Sequence, residues 1–187
     1  MRMFLEALNH PAEALRKNPR RIAWLLVAVT ITVNAVIGPL MQYFWGEFKR
    51  EIDVVHMLTV ALAGMLSYLL ICLVLWAVSK LLGSTLTLMN HIDAWGITFF
   101  PTMVCAVVVA VTEVFFYVFW NNSIWGMLAG FVFVGVLLWK TILYVVYLRE
   151  FAGLKGKRFF GAFALVGILI LVLAWLNAYA GCMTPVL

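Results

Sequence analysis

Apolar residues in this chain come in five long runs, with neither the alternation of a barrel strand nor a heptad rhythm. The runs cover Ile22–Phe44, His56–Val78, Trp95–Trp120, Ile124–Leu148 and Phe159–Ala180. Each reaches the ~20 residues that a helix needs to cross the hydrocarbon core of a bilayer. A backbone inside lipid must satisfy its own hydrogen bonds, which leaves helices or closed barrels. Strands of a barrel would alternate apolar and polar residues, and these runs do not. The pattern predicts an all-α polytopic membrane protein, a bundle of about five transmembrane helices forming a single membrane domain over residues 1–187. The first run is too long for the core of a signal peptide and lacks a small-residue cleavage site, so it is expected to stay as a span.

Two further stretches have one-sided apolarity and predict short interfacial helices. In Met1–Arg21, Phe4, Leu5 and Leu8 share a face, Pro11 interrupts and Leu15 continues; Asn18 and Pro19 then suit the cap and first position of span one. In Gly83–Asp93, glycine stops span two, Ser84 or Thr85 can cap a short helix, and Leu88, Met89, Ile92 and Trp95 follow on one face. Each can lie on the headgroups or pack on the protein's own base; the pattern suits both.

Composition narrows the setting. The chain is 66% hydrophobic and 11% charged, with mean hydropathy +1.07, whereas a soluble domain is about 25% charged. In water it would expose more apolar surface than a domain of this size can hide. The charges are unevenly placed. Arg2, Arg16, Lys17, Arg20 and Arg21 precede span one, Lys80 follows span two, and Arg149, Lys155, Lys157 and Arg158 lie between spans four and five. Lys49 and Arg50 alone fall on the other side. Basic residues accumulate on the cytoplasmic side, so the N-terminus is expected inside and the C-terminus outside. Arg16, Lys17, Arg20, Arg21, Lys155, Lys157 and Arg158 are the candidate contacts to anionic lipid headgroups.

Signatures of catalysis are missing: the chain has no HExxH, GxSxG, P-loop, GxGxxG or CxxC. Cys72, Cys105 and Cys182 form no close pair, and His10, His56 and His91 are scattered, so neither a metal centre nor a cofactor is expected. The informative residues are the polar ones inside the spans, where charge is costly. Glu113 lies toward the outer end of span three and Lys140 toward the inner end of span four. About 10 Å along the membrane normal separates them, which argues against a salt bridge. Glu113 reads either as a protonatable group on a path or as a neutral, hydrogen-bonded acid tying helices together. Lys140 has two readings as well. It can reach a helix break at Pro101, which would free the Ile97 carbonyl beside a stripe of Thr98, Thr102 and Cys105. Alternatively it snorkels to the headgroups, the reading that neighbouring Trp139, Tyr144 and Tyr147 favour.

Small residues predict packing faces. Thr30, Asn34 and Gly38 recur at helical spacing in span one, and Gly64, Tyr68 and Cys72 do so in span two. Gly126 and Gly130 match the close-packing motif in span four.

Three stretches together resemble the Yip1 domain family, its compact bacterial members in particular. They are Leu8-Asn9-His10-Pro11 with Asn18-Pro19; Leu82-Gly83-Ser84 through Ile97-Thr98-Phe99-Phe100-Pro101; and Trp139 through Leu148, with Phe151-Ala152-Gly153-Leu154-Lys155 leading to Phe159-Phe160-Gly161-Ala162. Trp95-Gly96-Ile97 departs from the tyrosine-containing stretch that many members carry there. The resemblance implies five spans, a cytoplasmic N-terminus, self-association and no catalysis, and its compact bacterial members imply a bacterial inner membrane. Eukaryotic relatives bind small GTPases in vesicle traffic. That role does not transfer, because their long N-terminal region has no counterpart in residues 1–21.

Two functions remain. One is a non-enzymatic membrane-organising or adaptor protein whose partners are anionic lipids, copies of itself and a protein not named by the sequence, with no nucleic acid. The other is a small transporter or channel subunit using Glu113 and Lys140.

Overall fold

The computed structural model describes residues 12, 13, 15, 20–46 and 51–181. The described residues are 89% helical and include no strand. From Arg20 onward, the described residues form seven α-helices: α1 (Arg20–Trp45), α2 (Val54–Leu81), α3 (Leu88–Trp95), α4 (Phe99–Val114), α5 (Phe116–Asn121), α6 (Ser123–Val146) and α7 (Gly156–Tyr179). A 3-10 turn at Gly96–Thr98 joins α3 to α4, and a π turn at Tyr147–Phe151 ends α6. Five stretches are long and apolar enough to cross a membrane: Arg20–Trp45, Val54–Leu81, Leu88–Val114, Ser123–Phe151 and Gly156–Tyr179.

Helix ends follow local chemistry. Asp53 caps α2, its carboxylate accepting the His56 N–H at 3.0 Å. Asn122 caps α6 by accepting from the Ile124 N–H at 3.0 Å. At the other end of α2, Gly83 stands at φ +98°. Its N–H donates to the Lys80 carbonyl and that of Ser84 to the Ser79 carbonyl, the paired bonds that close a helix on a left-handed residue.

The third span differs from the expectation at both ends. It starts at Leu88 rather than Trp95, because α3 and α4 run on through the 3-10 turn. It breaks at Phe115, whose φ of −101° and ψ of 45° are not helical, before the short aromatic helix α5. The cap of α3 is Thr87, accepting from the Asn90 N–H at 3.4 Å, and neither Ser84 nor Thr85. Pro101 makes no mid-helix break. It falls in the first turn of α4, where a missing N–H costs nothing.

Neighbouring helices run in the order α7, α2, α1, α4, α6, with α1 packed most extensively on α4. The π turn then contacts α7, drawing the two outer members of this row together at one end. That end holds the core, where Ala23, Val27, Tyr68, Ile71, Leu75, Trp95, Tyr147, Leu148 and Val166 are buried together, with Leu15 against them. The third span is the hub: 56% of its most apolar stretch is buried, against 22% in the fourth and fifth. The far half of α6, by contrast, is exposed except along Gly126, Ala129 and Phe133, which are half-buried.

Candidate functional site

The short helix α3 is fixed from three directions. From α2, the Tyr68 hydroxyl donates to the Ile92 carbonyl and the Cys72 thiol to the His91 carbonyl at 4.0 Å. From the π turn, the Tyr147 hydroxyl shares a 2.6 Å hydrogen bond with His91 Nδ1. From α1, Trp24 Nε1 donates to Asp93 Oδ1 at 3.0 Å, and Arg20 Nε stands 3.3 Å from the same oxygen. His91, Asp93 and Trp95 therefore face inward, and the stretch packs on the protein's own base; its expected apolar face leaves Met89 exposed. These residues were not foreseen as a group. The available signal was Arg20 and Trp24 at i and i+4, which places a cation and an indole donor on one face with a lone acid to receive both.

Below this base lies Lys140. It is 4% exposed and donates to Thr102 Oγ1. The Phe99 and Tyr144 rings stand 5.0 and 5.6 Å from its ammonium, within the range of cation–π attraction. The snorkelling reading is thus corrected: Trp139 and Tyr144 are engaged inside, Trp139 on Phe100 at 5.3 Å and Tyr144 stacked on Trp95 at 4.8 Å. The acceptor is also not the Ile97 carbonyl, because Pro101 opens no gap there. Thr98 turns back to donate to the Trp95 carbonyl at 2.8 Å, and Thr30 of α1 donates to the Phe99 carbonyl at 3.3 Å. Of the expected group, Lys140 and Thr102 come together and tie α6 to α4, Thr30 ties α1 to the same turn, and Thr98 and Pro101 are buried in it without a hydrogen bond to Lys140.

Glu113 is elsewhere. It is exposed at the far end of α4 and lines a cavity of about 500 Å³ between α1, α2 and α4. It is exposed rather than buried, and it stands where α1 and α4 meet. Asn34, Gly38, Pro39 and Gln42 of α1 line the same cavity, as do Glu51, Asp53 and His56. Gln42 Nε2 reaches the Glu113 carbonyl at 3.4 Å.

Small residues pack where they were not expected. A Cβ on Gly38 or Gly130 would meet nothing within 4 Å, so neither is a helix contact. Gly126 faces only the Phe119 carbonyl of the preceding helix, at 2.8 Å; Gly64 is half-buried on α2. The close crossing is at Gly96, where a Cβ would stand 2.5 Å from the Ala23 carbonyl oxygen and 2.9 Å from Val27 Cγ2.

Among the described residues, one end of the bundle is mainly basic, with Asp93 and Glu150 as its acids after Arg20, and the other is acidic. Arg20, Arg21, Lys80, Arg149, Lys155, Lys157 and Arg158 are all exposed at the end that holds the core. Arg158 bridges to the Leu82 carbonyl at 3.1 Å, and Lys155 and Arg158 line a cleft of about 370 Å³ with Gly83, Ser84 and Gly153. Arg16 and Lys17 lie outside the described residues, as does most of the expected N-terminal segment. At the far end the described charges are Glu51, Asp53 and Glu113; Lys49 and Arg50 lie outside the described residues.

Apolar helices that require lipid around them, tied by buried polar groups, define a polytopic α-helical integral membrane protein. Residues 5–176, nearly the whole chain, match the Yip1 domain, and the protein belongs to that family. No curated protein and no solved structure matches the chain.

Proposed function

We propose that this Yip1-family member is a non-enzymatic membrane-organising protein that gathers anionic lipid at its basic end and associates with its own copies, with a protein partner still to be identified. The observation that carries this reading is the segregation of charge. Seven exposed Lys and Arg side chains ring one end, and the one buried acid there, Asp93, is already engaged by Arg20 and Trp24. Anionic headgroups attract such residues by about 1 kcal/mol each. By the basic bias this end is cytoplasmic, which fits a bacterial inner membrane. The exposed apolar flank of α6 leaves room for a second copy beside the lipid.

The test is thermal stability in nanodiscs of zwitterionic lipid against nanodiscs containing phosphatidylglycerol. The expected result is a higher Tm with the anionic lipid. Lys155→Gln, Lys157→Gln and Arg158→Gln together should abolish that gain while leaving the Tm in zwitterionic lipid unchanged. Equal stability of the parent protein in both lipids would overturn the reading. The second function, a small transporter or channel subunit, draws on the cavity at the far end.

A further inference from the structure

Helix α3 is a short element with a joint at each end. The chain from Leu82 to Thr87 before it is not helical, and the 3-10 turn Gly96–Thr98 follows it. The third span does not need it: Phe99–Asn121 by itself reaches about 34 Å at 1.5 Å per residue, which crosses a ~30 Å hydrocarbon core. Its closed position leaves polar atoms unsatisfied. His91 Nδ1 is bonded to the Tyr147 hydroxyl, but His91 Nε2 and Trp95 Nε1 have no hydrogen-bond partner among the described residues. Both side chains are buried, so each orphan atom costs free energy. On the membrane surface, water and lipid carbonyls would supply both partners.

Protonation of His91 raises that cost. An imidazolium donates from both nitrogens, and a buried charge is held only where its donors find partners. The side chains around the ring do not supply the second one. From the π turn come Tyr147 and the Phe151 ring, perpendicular at 5.8 Å. From α2 come Tyr68 and Cys72, whose hydroxyl and thiol already donate to the Ile92 and His91 carbonyls. From α1 come Arg20, a second cation, and Trp24, both directed at Asp93. The 3-10 turn carries no ionisable side chain. Of the described acids at this end after Arg20, Asp93 is thus taken up and Glu150 is exposed.

We propose that α3 is an acid-released strap: with His91 neutral it closes the basic end, and with His91 protonated it leaves the base for the headgroup region beside it. An apolar face of Leu88, Met89, Ile92 and Trp95 fits it for either place. The proposal goes beyond the lipid-organising reading and does not depend on it. A release that takes up one proton makes the open population grow about 10-fold for each pH unit below the ~6.5 of an ordinary imidazole. Release uncovers Cys72, which is fully buried and donates to the strap.

Thiol accessibility tests it. Full-length protein carrying Cys105→Ala and Cys182→Ala, in nanodiscs of zwitterionic lipid, would be treated with 4,4′-dithiodipyridine, which labels thiols in mild acid as well as at neutral pH. Each Cys72 rate is divided by that of cysteine-free protein carrying Asn122→Cys, in the exposed connection before α6, at the same pH. The ratio is expected to rise about 10-fold from about pH 6 to about pH 5. His91→Gln and His91→Phe, which take up no proton there, should each flatten the profile whether the strap rests open or closed, and either serves if the other fails to fold. His56→Gln, exposed at the far end, should leave the rise in place. Val114→Cys, buried on α4 away from the strap, should stay unlabelled throughout. A constant ratio in the parent protein, a rise that survives in the His91 variants, or an equal rise at Val114→Cys would overturn the strap.

Discussion

Lys140 shows how a single buried charge is held without a carboxylate. Its ammonium has one hydroxyl acceptor, Thr102, and two aromatic faces. Removing a buried ion altogether is often neutral, whereas removing only its partner strands the charge. We therefore expect an asymmetric double-mutant cycle in detergent denaturation. Lys140→Met keeps the apolar stem and should change stability little. Thr102→Val should cost about 1–3 kcal/mol, and adding Lys140→Met to it should restore most of that loss. Equal losses from both single substitutions would mean that Lys140 is worth more as a charge than as an apolar stem. Asp93 shows the same economy at the base, where one carboxylate takes an indole N–H and a guanidinium from successive turns of α1.

At the scale of elements, the α1–α4 contact rests on the absence of a side chain at the 3-10 turn. A Cβ at Gly96 would collide with backbone atoms of Ala23, which cannot rotate away as a side-chain end can. Gly96→Ala is expected to lose about 1–3 kcal/mol through overpacking. Gly130→Ala, in open space on α6, should gain about 0.5–1 kcal/mol from helix propensity. Chemical denaturation of both variants side by side checks the sign. Stability of Gly96→Ala at or above the parent would show that α1 can move off the turn at no cost. The sequence motif that suggested close packing, Gly126 with Gly130, misled because spacing alone does not say which face of α6 meets another helix. The Gly96 site lacks a second glycine at regular spacing and had no periodic signal to find it by.

For the whole molecule, charge asymmetry and an odd number of spans make a topological statement. The basic end should face the cytoplasm, with residues before α1 on that side and residues after α7 on the other. A fluorescent protein fused before Met1 should glow, and alkaline phosphatase fused after Leu187 should be active when the chain is made in bacteria. Phosphatase activity at the N-terminus instead would invert the bundle, and with it the proposed lipid-binding end. The dense core at the basic end and the open cavity at the other fit one division of labour: the first sets the shape of the bundle, and the second leaves space within it.

The sequence by itself determined the helical class, the number of spans and the side on which basic residues gather, because each is a property of local composition summed over about 20 residues. Span limits held to within a few residues wherever polarity changed sharply, as at the ends of α1 and α7. It also placed Thr98, Pro101, Thr102 and Lys140 near one depth, since rise per residue is fixed along a helix. Only the tertiary structure decided which way those side chains turn. It drew Lys140 inward to Thr102, brought Gln42 of α1 to Glu113 of α4, and folded α3 against the base through His91 and Asp93. The physical reason is common to all three: polar side chains in a bundle go to partners on other helices, and sequence separations of 38 to 71 residues carry no local trace of who those partners are.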